Sequence, residues 1–288
     1  AHAVNYPTIA RVVNLNQYLG LPATAENRSI YALKISDNPN LDEDEESVLF
    51  YSNEHCRELV AIEVVLGAID QVLTGYKAND PKVRSWVQTK EIWFIPNANP
   101  DGLAYVWSTY NYWRKNRRHI SGSTYGVDLN RNYAMGWAST CAGSTNPSQS
   151  TYKGPSAFSE VETQVIAALH RREHFTKVVS HHNSGQEVLR PLVCSTAGLP
   201  PTVNGYLKGL DAAMAKTMSY ATRGASAEGE GYQWCFWHNG AFATLVESAT
   251  AFQPAWSAVD PEVKRTWPGF QWLLDLPVPV SGHVTNKF

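Results

Sequence analysis

The chain lacks an excess of charge of either sign. Its 288 residues carry 24 Lys and Arg against 26 Asp and Glu, which gives a formal net charge of -2 and a pI near 6.5. Without a basic footprint, neither nucleic-acid binding nor attachment to an anionic membrane surface is indicated. The chain also lacks an unbroken apolar run of about 18 residues, so no membrane span is predicted.

Cysteine is scarce as well. The four cysteines, Cys56, Cys141, Cys194 and Cys235, are widely spaced and form no CxxC pair. This spacing excludes a zinc ribbon and does not demand disulfides. Cys56 is expected to be a buried free thiol. No charged segment followed by a long apolar run opens the chain, so no signal peptide is visible, although a processed, secreted chain is compatible with this start.

No internal linker, repeat or low-complexity run divides the chain, and 43% of its residues are hydrophobic. One domain over 1–275 is therefore expected. The residue patterns predict strands at 29–35, 48–52, 91–95, 177–180, 188–193 and 240–246, and helices at 59–73, 159–172 and 203–218. The helix at 159–172 is expected to begin with a capping box of Ser159 and Glu162. Alternating strands and helices predict an α/β protein: a single-domain α/β/α sandwich with a central mixed, mostly parallel twisted sheet and helices on both faces.

Three metal-ligand candidates lie just after predicted strands or one turn further on. His55 and Glu58 form an HxxE motif, and His182 follows the strand at 177–180. Because ligands collect at the carboxyl ends of the strands in such sheets, we expect these side chains to meet. Two histidines and a glutamate leave the open position that a catalytic zinc requires. The neighbouring His181 points to the opposite face if the strand continues through it, so one of these two histidines is the ligand candidate and the other is expected to pack.

Further polar groups supply the other roles that such a site needs. Glu247 follows a buried strand, where a carboxylate fits a general base for a metal-bound water. The segments at 113–118 and 126–133 hold several arginines, among them Arg114 and Arg131, whose planar guanidinium groups match a carboxylate or a developing oxyanion. Asp128 is a natural partner for the second ring nitrogen of a ligating histidine.

A second metal-like motif competes with this interpretation. His170, Glu173 and His174 spell HxxEH, the inverted zinc-peptidase motif. The motif lies at the C-terminal end of a predicted helix, where basic side chains are favoured by the helix dipole. We therefore expect a structural role for these residues.

Taken together, the motifs resemble the funnelin family of zinc metallocarboxypeptidases, and in particular its bacterial carboxypeptidase T-like branch, close to carboxypeptidases A and B. The resemblance runs in order over nearly the whole chain, from about residue 5 to 274. It is carried by His55-x-x-Glu58 with Arg57, PNANPDG at 96–102, WRKNR at 113–117, GVDLNRNY at 126–133, YKGPSAFSEVET at 152–163, His182 and Glu247.

This resemblance implies one zinc ion held by His55, Glu58 and His182, with Glu247 as the general base. It implies that Arg114 polarises the scissile carbonyl. By the same resemblance, the terminal carboxylate of the substrate is clamped by Asn130 and Arg131, Arg57 lies along the cleft, and Tyr232 reads the terminal side chain.

The sequence departs from the family at two places. The mobile tyrosine that usually closes over the substrate is replaced by Ala225, and Tyr220 or Tyr232 could substitute for it only in a rearranged loop. In the specificity pocket, Glu228 or Glu230 would suit a basic terminal residue and Arg190 an acidic one, so no side chain is predicted. The tail at 276–288 resembles the opening strand of an appended β-sandwich.

The leading hypothesis is a secreted or extracytoplasmic, monomeric zinc exopeptidase that acts on the C-termini of peptides or proteins. One alternative is an amidase or peptidase of cell-wall peptides on the same fold. Another, from a different class, is a non-catalytic peptide-binding protein. Loss of a ligand or of Glu247 would be expected in the last case, and this chain keeps them all.

Overall fold

The computed structural model describes residues 2–191 and 199–278. Its strands are β1 (Ala10–Asn14), β2 (Tyr31–Ile35), β3 (Glu46–Ser52), β4 (Lys90–Ile95), β5 (His119–Ser121), β6 (Thr124–Tyr125), β7 (Lys177–Asn183), β8 (Glu187–Arg190), β9 (Ala221–Gly224) and β10 (Phe242–Ser248). Its helices are α1 (His2–Asn5), α2 (Leu15–Leu19), α3 (Leu59–Lys77), α4 (Pro81–Thr89), α5 (Pro100–Ser108), α6 (Val161–Glu173), α7 (Pro201–Met218), α8 (Gly231–Asn239) and α9 (Val259–Asp275). Leu129–Arg131 and Trp256–Ala258 form short 3₁₀ turns.

Eight strands form one mixed sheet in the order β1-β2-β4-β3-β7-β10-β8-β9. The four central strands, β4, β3, β7 and β10, run parallel. Antiparallel pairs flank them at β2 and at β8, and the remaining strands β5 and β6 form a separate hairpin. Helices cover both faces, so the predicted α/β sandwich with a mixed sheet is confirmed.

The two faces of the sheet enclose separate apolar cores, because successive side chains of a strand point to opposite sides. In β3, Phe50 belongs to the core that includes residues of α3, α4, α7 and α9, whereas Tyr51 belongs to the core that includes residues of α2, α6 and α8. Both side chains are fully buried. A central strand covered on both faces reads as a continuous apolar run, which is the pattern that 48–51 shows.

Helix α3 is long and apolar enough, by composition, to cross a membrane. Its buried residues, Val60, Ala61, Val64, Val65, Ala68, Ile69, Val72 and Leu73, pack instead against the sheet and against α9. The approach to α9 is close: a Cβ added at Gly67 would lie 2.2 Å from a methyl carbon of Val263. These contacts give α3 the role of a core helix.

Several predicted boundaries shift in the structure. The capping box is wrong: α6 begins after Glu160, Ser159 donates to Glu160 and Asn132 donates to Ser159, while Glu162 accepts from Asn116. Strands β7 and β10 each continue past their predicted ends, to Asn183 and Ser248, because the polar residues there stay paired with each other in the sheet. The predicted strand end at 192–193 and most of the predicted tail domain, 279–288, lie outside the described residues.

Candidate metal centre

Three adjacent parallel strands end at the candidate site. Strand β10 pairs with β7 so that Glu247 lies directly beside His182, and β3 pairs with β7 on its other side. The chain leaves β3 through Asn53, whose φ of 65° turns it towards the site. His55 follows in this turn, and Glu58 immediately precedes α3 without capping it by its side chain. The shared edge expected from the sequence therefore brings the predicted residues together.

The atoms of His55, Glu58 and His182 that could bind a metal face one another. The Nδ1 atoms of the two histidines are 3.1 Å apart. Glu58 Oε1 lies 2.9 Å from His55 Nδ1, and Glu58 Oε2 lies 2.8 Å from His182 Nδ1. All three side chains are buried, and their donor atoms form a group that could hold a metal ion.

The second nitrogen of each imidazole is held by a polar partner. His55 Nε2 lies 3.0 Å from Asp128 Oδ1. His182 Nε2 lies 3.0 Å from Ser180 Oγ and 3.3 Å from Glu54 Oε2. Such partners fix the ring orientation and leave Nδ1 of each histidine as the available donor. The donor set of two imidazole nitrogens and one carboxylate therefore fits a catalytic zinc ion.

The electrostatics of this cluster favour a bound cation. Burial works against a charged imidazole, yet the carboxylates of Glu58 and Glu54 raise the pKa of His182 to about 10. Burial likewise opposes ionisation of Glu58, but His55 and His182 lower its pKa. The carboxylates thus outweigh the cost of placing positive charge in this buried position.

Glu247 lies at the edge of the same cavity, which has a volume of about 190 Å³ and is also lined by His55, Glu58 and His182. Burial and the charge of Glu58 raise the pKa of Glu247 to about 7, although His182, Arg223 and Arg114 act to lower it. A carboxylate with a pKa near neutrality can both accept and return a proton.

Arg114 connects the metal centre to its supporting carboxylate. Its Nε and Nη2 donate to Asp128 Oδ2 at 3.0 and 2.8 Å, which leaves Nη1, 3.7 Å from Glu58 Oε1, towards the ligands. Burial opposes ionisation of Asp128, but Arg114 and, to a smaller extent, His55 hold the pKa of this carboxyl well below its usual value. The predicted partnership of Asp128 with a ligating histidine is thus present in the geometry.

Asn130 and Arg131 also line the cavity, on the 3₁₀ turn that follows Asp128. Asn130 Oδ1 accepts from Gly231 N at 3.0 Å, and its Nδ2 lies 3.4 Å from His182 Nε2. Arg131 Nη1 donates to Glu230 Oε1 at 3.0 Å in a pair that is largely buried. A carboxylate of the chain itself therefore contacts the guanidinium that was expected to bind a substrate carboxylate.

The remaining predicted substrate residues are separated. Arg57 lies with its guanidinium 4.2 Å above the ring of Phe252 and lines an adjoining cavity. Tyr232 is fully buried among the apolar residues under α8, and its hydroxyl donates to the Arg190 carbonyl at 3.3 Å. Its side chain does not line the metal cavity in the part of the chain that the structure describes.

Neither tyrosine that could replace the missing closing tyrosine faces the cavity. Tyr220 is buried and hydrogen-bonded to Glu262, and Tyr232 lies in the core. Ala225 is itself buried, at 4% exposure. Over the described residues, the position of the closing tyrosine is therefore taken by a small core side chain.

His181 and the HxxEH motif have the structural roles expected of them. His181 stacks on Phe270 with ring centroids 4.7 Å apart, on the face opposite to His182. His170 is buried between Phe175 and Trp234, Glu173 accepts from Tyr18, and His174 ends α6 in a left-handed conformation. Within the described ranges, these three do not form a group that could hold a metal.

Sequence reasoning missed several residues around the site. Glu54 is 1% exposed and accepts hydrogen bonds from Tyr133 and Ser180. Its position beside His55 was a signal that could have been used. Glu230 was considered only for specificity, and Arg223 and Phe252, which also line the metal cavity, were not singled out.

Comparisons with known proteins agree with this geometry. A family model described as zinc carboxypeptidase matches residues 3–268. A zinc carboxypeptidase of Saccharothrix mutabilis subsp. capreolus is 39% identical over 138 residues, which is 47% of this chain and 31% of that protein. A protein of Arthroderma benhamiae named inactive metallocarboxypeptidase ECM14 is 31% identical over 216 residues, 71% of this chain and 36% of its own length. The chain thus spans about a third of these relatives.

Solved structures show the same fold. The carboxypeptidase A of Helicoverpa armigera superposes with a TM-score of 0.81 at 25% identity, over 94% of this chain and 69% of that one. Thrombin activatable fibrinolysis inhibitor superposes with a TM-score of 0.84 at 20% identity, over 95% of this chain and 70% of the other. The second likeness concerns the fold alone.

Proposed function

The chain belongs to the zinc carboxypeptidase family, and on that premise we propose that it hydrolyses the C-terminal peptide bond of peptides or proteins with one bound zinc ion. The observation that carries this proposal is the cluster of His55, Glu58 and His182 with Glu247 beside it in register. One relative is named an inactive metallocarboxypeptidase, so likeness to the family does not by itself establish activity. All three ligands and the carboxylate base are present here.

The chain's own side chains divide the work of hydrolysis. When bound, zinc supplies Lewis-acid chemistry that polarises a carbonyl and lowers the pKa of water. Glu247 accepts the proton of the attacking water and returns it to the leaving amine, which its pKa of about 7 suits. Arg114 directs Nη1 towards the developing oxyanion, since its other two nitrogens are held by Asp128.

Asn130 and Arg131 are proposed to bind the terminal carboxylate of the substrate at the same cavity. The ion pair of Arg131 with Glu230 means that an incoming carboxylate has to share this guanidinium. That observation favours a second candidate, a peptidase of cell-wall peptides, because a terminal residue that bears an amino group beside its carboxylate would satisfy both charges.

An extracytoplasmic location is proposed together with this function. Cys56 and Cys235 are free and buried, whereas Cys141 is disulfide-bonded. Disulfides persist mainly in oxidising compartments, so the bonded Cys141 supports a secreted or extracytoplasmic chain. A monomer is proposed for the same protein, to be measured by sedimentation.

Release of terminal amino acids from a mixed peptide library, with and without a zinc chelator, tests the proposal. We expect zinc-dependent release by the natural protein and a loss of at least about 100-fold in Glu247→Gln, with zinc content unchanged. Glu26→Gln, which alters an exposed carboxylate, serves as the matched control. No release by the zinc-loaded protein would refute the proposal, and release confined to terminal diamino acids would favour the second candidate.

A further inference from the structure

A second cavity adjoins the metal centre on the side of Arg114. Its volume is about 390 Å³, and Arg114 lines both this cavity and that of the metal centre. Arg57, Tyr110, Tyr112, Lys115 and Tyr125 form much of its wall. We call it the upstream cavity, because a peptide whose scissile carbonyl meets Arg114 can extend its amino-terminal side into it.

The charge of the upstream cavity is one-sided. Arg57, Arg114 and Lys115 line it, and none of its lining residues in the described part of the chain is Asp or Glu. Arg114 is neutralised by Asp128. Lys115 is 6% exposed and donates to the carbonyl of Pro147 at 2.8 Å. Two of the three cations are therefore already engaged.

Arg57 is the cation that remains uncommitted. Among the residues that the structure describes, no carboxylate pairs with it, and its Nε is buried without a hydrogen-bond acceptor. An anion in the cavity would supply the missing acceptor.

The walls of the cavity suit an extended peptide. Tyr110 and Tyr112 are 52% and 45% exposed, so their rings are accessible to a ligand from solvent. Tyrosine offers an apolar ring together with a hydroxyl that can bind a peptide group. Phe252 lies against the guanidinium of Arg57, whose carbon is 4.2 Å from the ring centroid.

We propose that the upstream cavity binds a carboxylate carried by one of the two substrate residues on the amino-terminal side of the scissile bond, with Arg57 as its charged partner. The substrates are thus peptides that are acidic just before their terminal residue. This inference rests on the proposed function, because the position of the scissile carbonyl at Arg114 comes from it.

Matched acetylated tripeptides test the inference. They end in the residue that the library identifies and carry either Glu or Gln at each of the two preceding positions. At low ionic strength we expect kcat/KM to be about 10-fold higher for Glu than for Gln at one position. The Glu-to-Gln ratio of kcat/KM should fall towards one in Arg57→Gln and stay near the natural value in Arg57→Lys. It should also shrink at 0.5 M salt, where the electrostatic screening length is only about 3–5 Å.

Lys264→Gln, which removes an exposed cation on α9, is the control and should keep the full ratio. Zinc content and circular dichroism confirm that the Arg57 variants are folded. A ratio of one in the natural protein at both positions would overturn the inference. So would an equal loss for Glu and Gln peptides in Arg57→Gln, because Arg57 would then hold only the peptide backbone.

Failure of the proposed function gives a different result. If the zinc-loaded natural protein releases nothing, calorimetric titration with acetylated tripeptides of the same Glu and Gln design, ending in alanine, replaces kinetics. Tighter binding of the Glu peptide by about 10-fold, lost in Arg57→Gln, would support the anion site without hydrolysis. Equal affinities for both peptides would overturn it.

Discussion

Replacing Asp128 by asparagine tests how much the hydrogen-bond partner of His55 contributes to metal binding, because all three proposed metal ligands stay in place. Asp128 is fully buried and lies between His55 and Arg114. Its Oδ1 is 3.0 Å from His55 Nε2, and its Oδ2 accepts two hydrogen bonds from Arg114. When Nδ1 of His55 binds a metal, its Nε2 carries the proton and needs an acceptor. An asparagine side chain offers one acceptor where the aspartate offers two.

The expected magnitude follows from those contacts. If the asparagine oxygen stays with Arg114, the amide NH₂ is forced against the Nε2–H of His55, and the orientation of the ring is lost. Loss of such an outer partner weakens metal binding by about 10- to 100-fold, or about 1.4–2.7 kcal/mol. If the oxygen turns to His55, the buried charge of Arg114 loses its partner, which costs about 3 kcal/mol of folding stability.

Competition with a fluorescent zinc chelator measures the affinity, and thermal unfolding measures the stability. Asp101→Asn is the matched control, because Asp101 is also a fully buried carboxylate that accepts from an arginine, and its partners are Arg28 and Thr24 instead of Arg114 and His55. The control should lose stability but keep its zinc affinity. A folded Asp128→Asn with zinc affinity within twofold of the natural protein, and unchanged stability, would refute the reasoning.

Zinc content, measured by atomic absorption, should distinguish the two histidine motifs: His55→Ala is expected to lose bound zinc and His170→Ala to keep it. The reverse result would assign the zinc site to the HxxEH motif. Glu162 offers a test of stability against pH. Its burial, together with Glu160 and Asp101, raises its pKa from 4.5 to about 8. Between those values the folded chain holds a proton that the unfolded chain has released, so stability falls as pH rises. Glu162→Gln should therefore raise the melting temperature by a few degrees at pH 8 relative to the natural protein, and by less at pH 5. An equal change at both pH values would contradict the shifted pKa.

The Arg131–Glu230 pair illustrates why specificity could not be predicted from the sequence. Glu230 lies 99 residues from Arg131, and its charge could equally have served a basic substrate side chain. Which partner a carboxylate takes depends on the fold that brings it close. Tyr232 illustrates the same point, because its position in the sequence suggested the substrate pocket and its ring is fully buried under α8.

Local patterns determined much of the rest. The apolar run at 48–51 and the helical spacing at 59–73 predicted β3 and α3, because a buried central strand and a core helix leave these signatures in any sequence. The capping box failed, since Ser159 and Glu162 each found a long-range partner that a local motif does not include. Burial of His181 and His182 in β7 likewise extended a strand that polarity alone would have ended.

The turn from Asn53 to Glu58 shows which features of the site are determined by the sequence and which by the tertiary structure. The sequence by itself determined that a histidine and a glutamate follow a buried strand, and that a second histidine and a second glutamate lie at the ends of two others. Only the tertiary structure decided that these three strands are neighbours and that both Nδ1 atoms and the Glu58 carboxylate converge within about 3 Å. It also decided that Asp128 and Glu54 hold the far sides of the rings. Strand order and side-chain direction arise from long-range packing, which no short segment encodes.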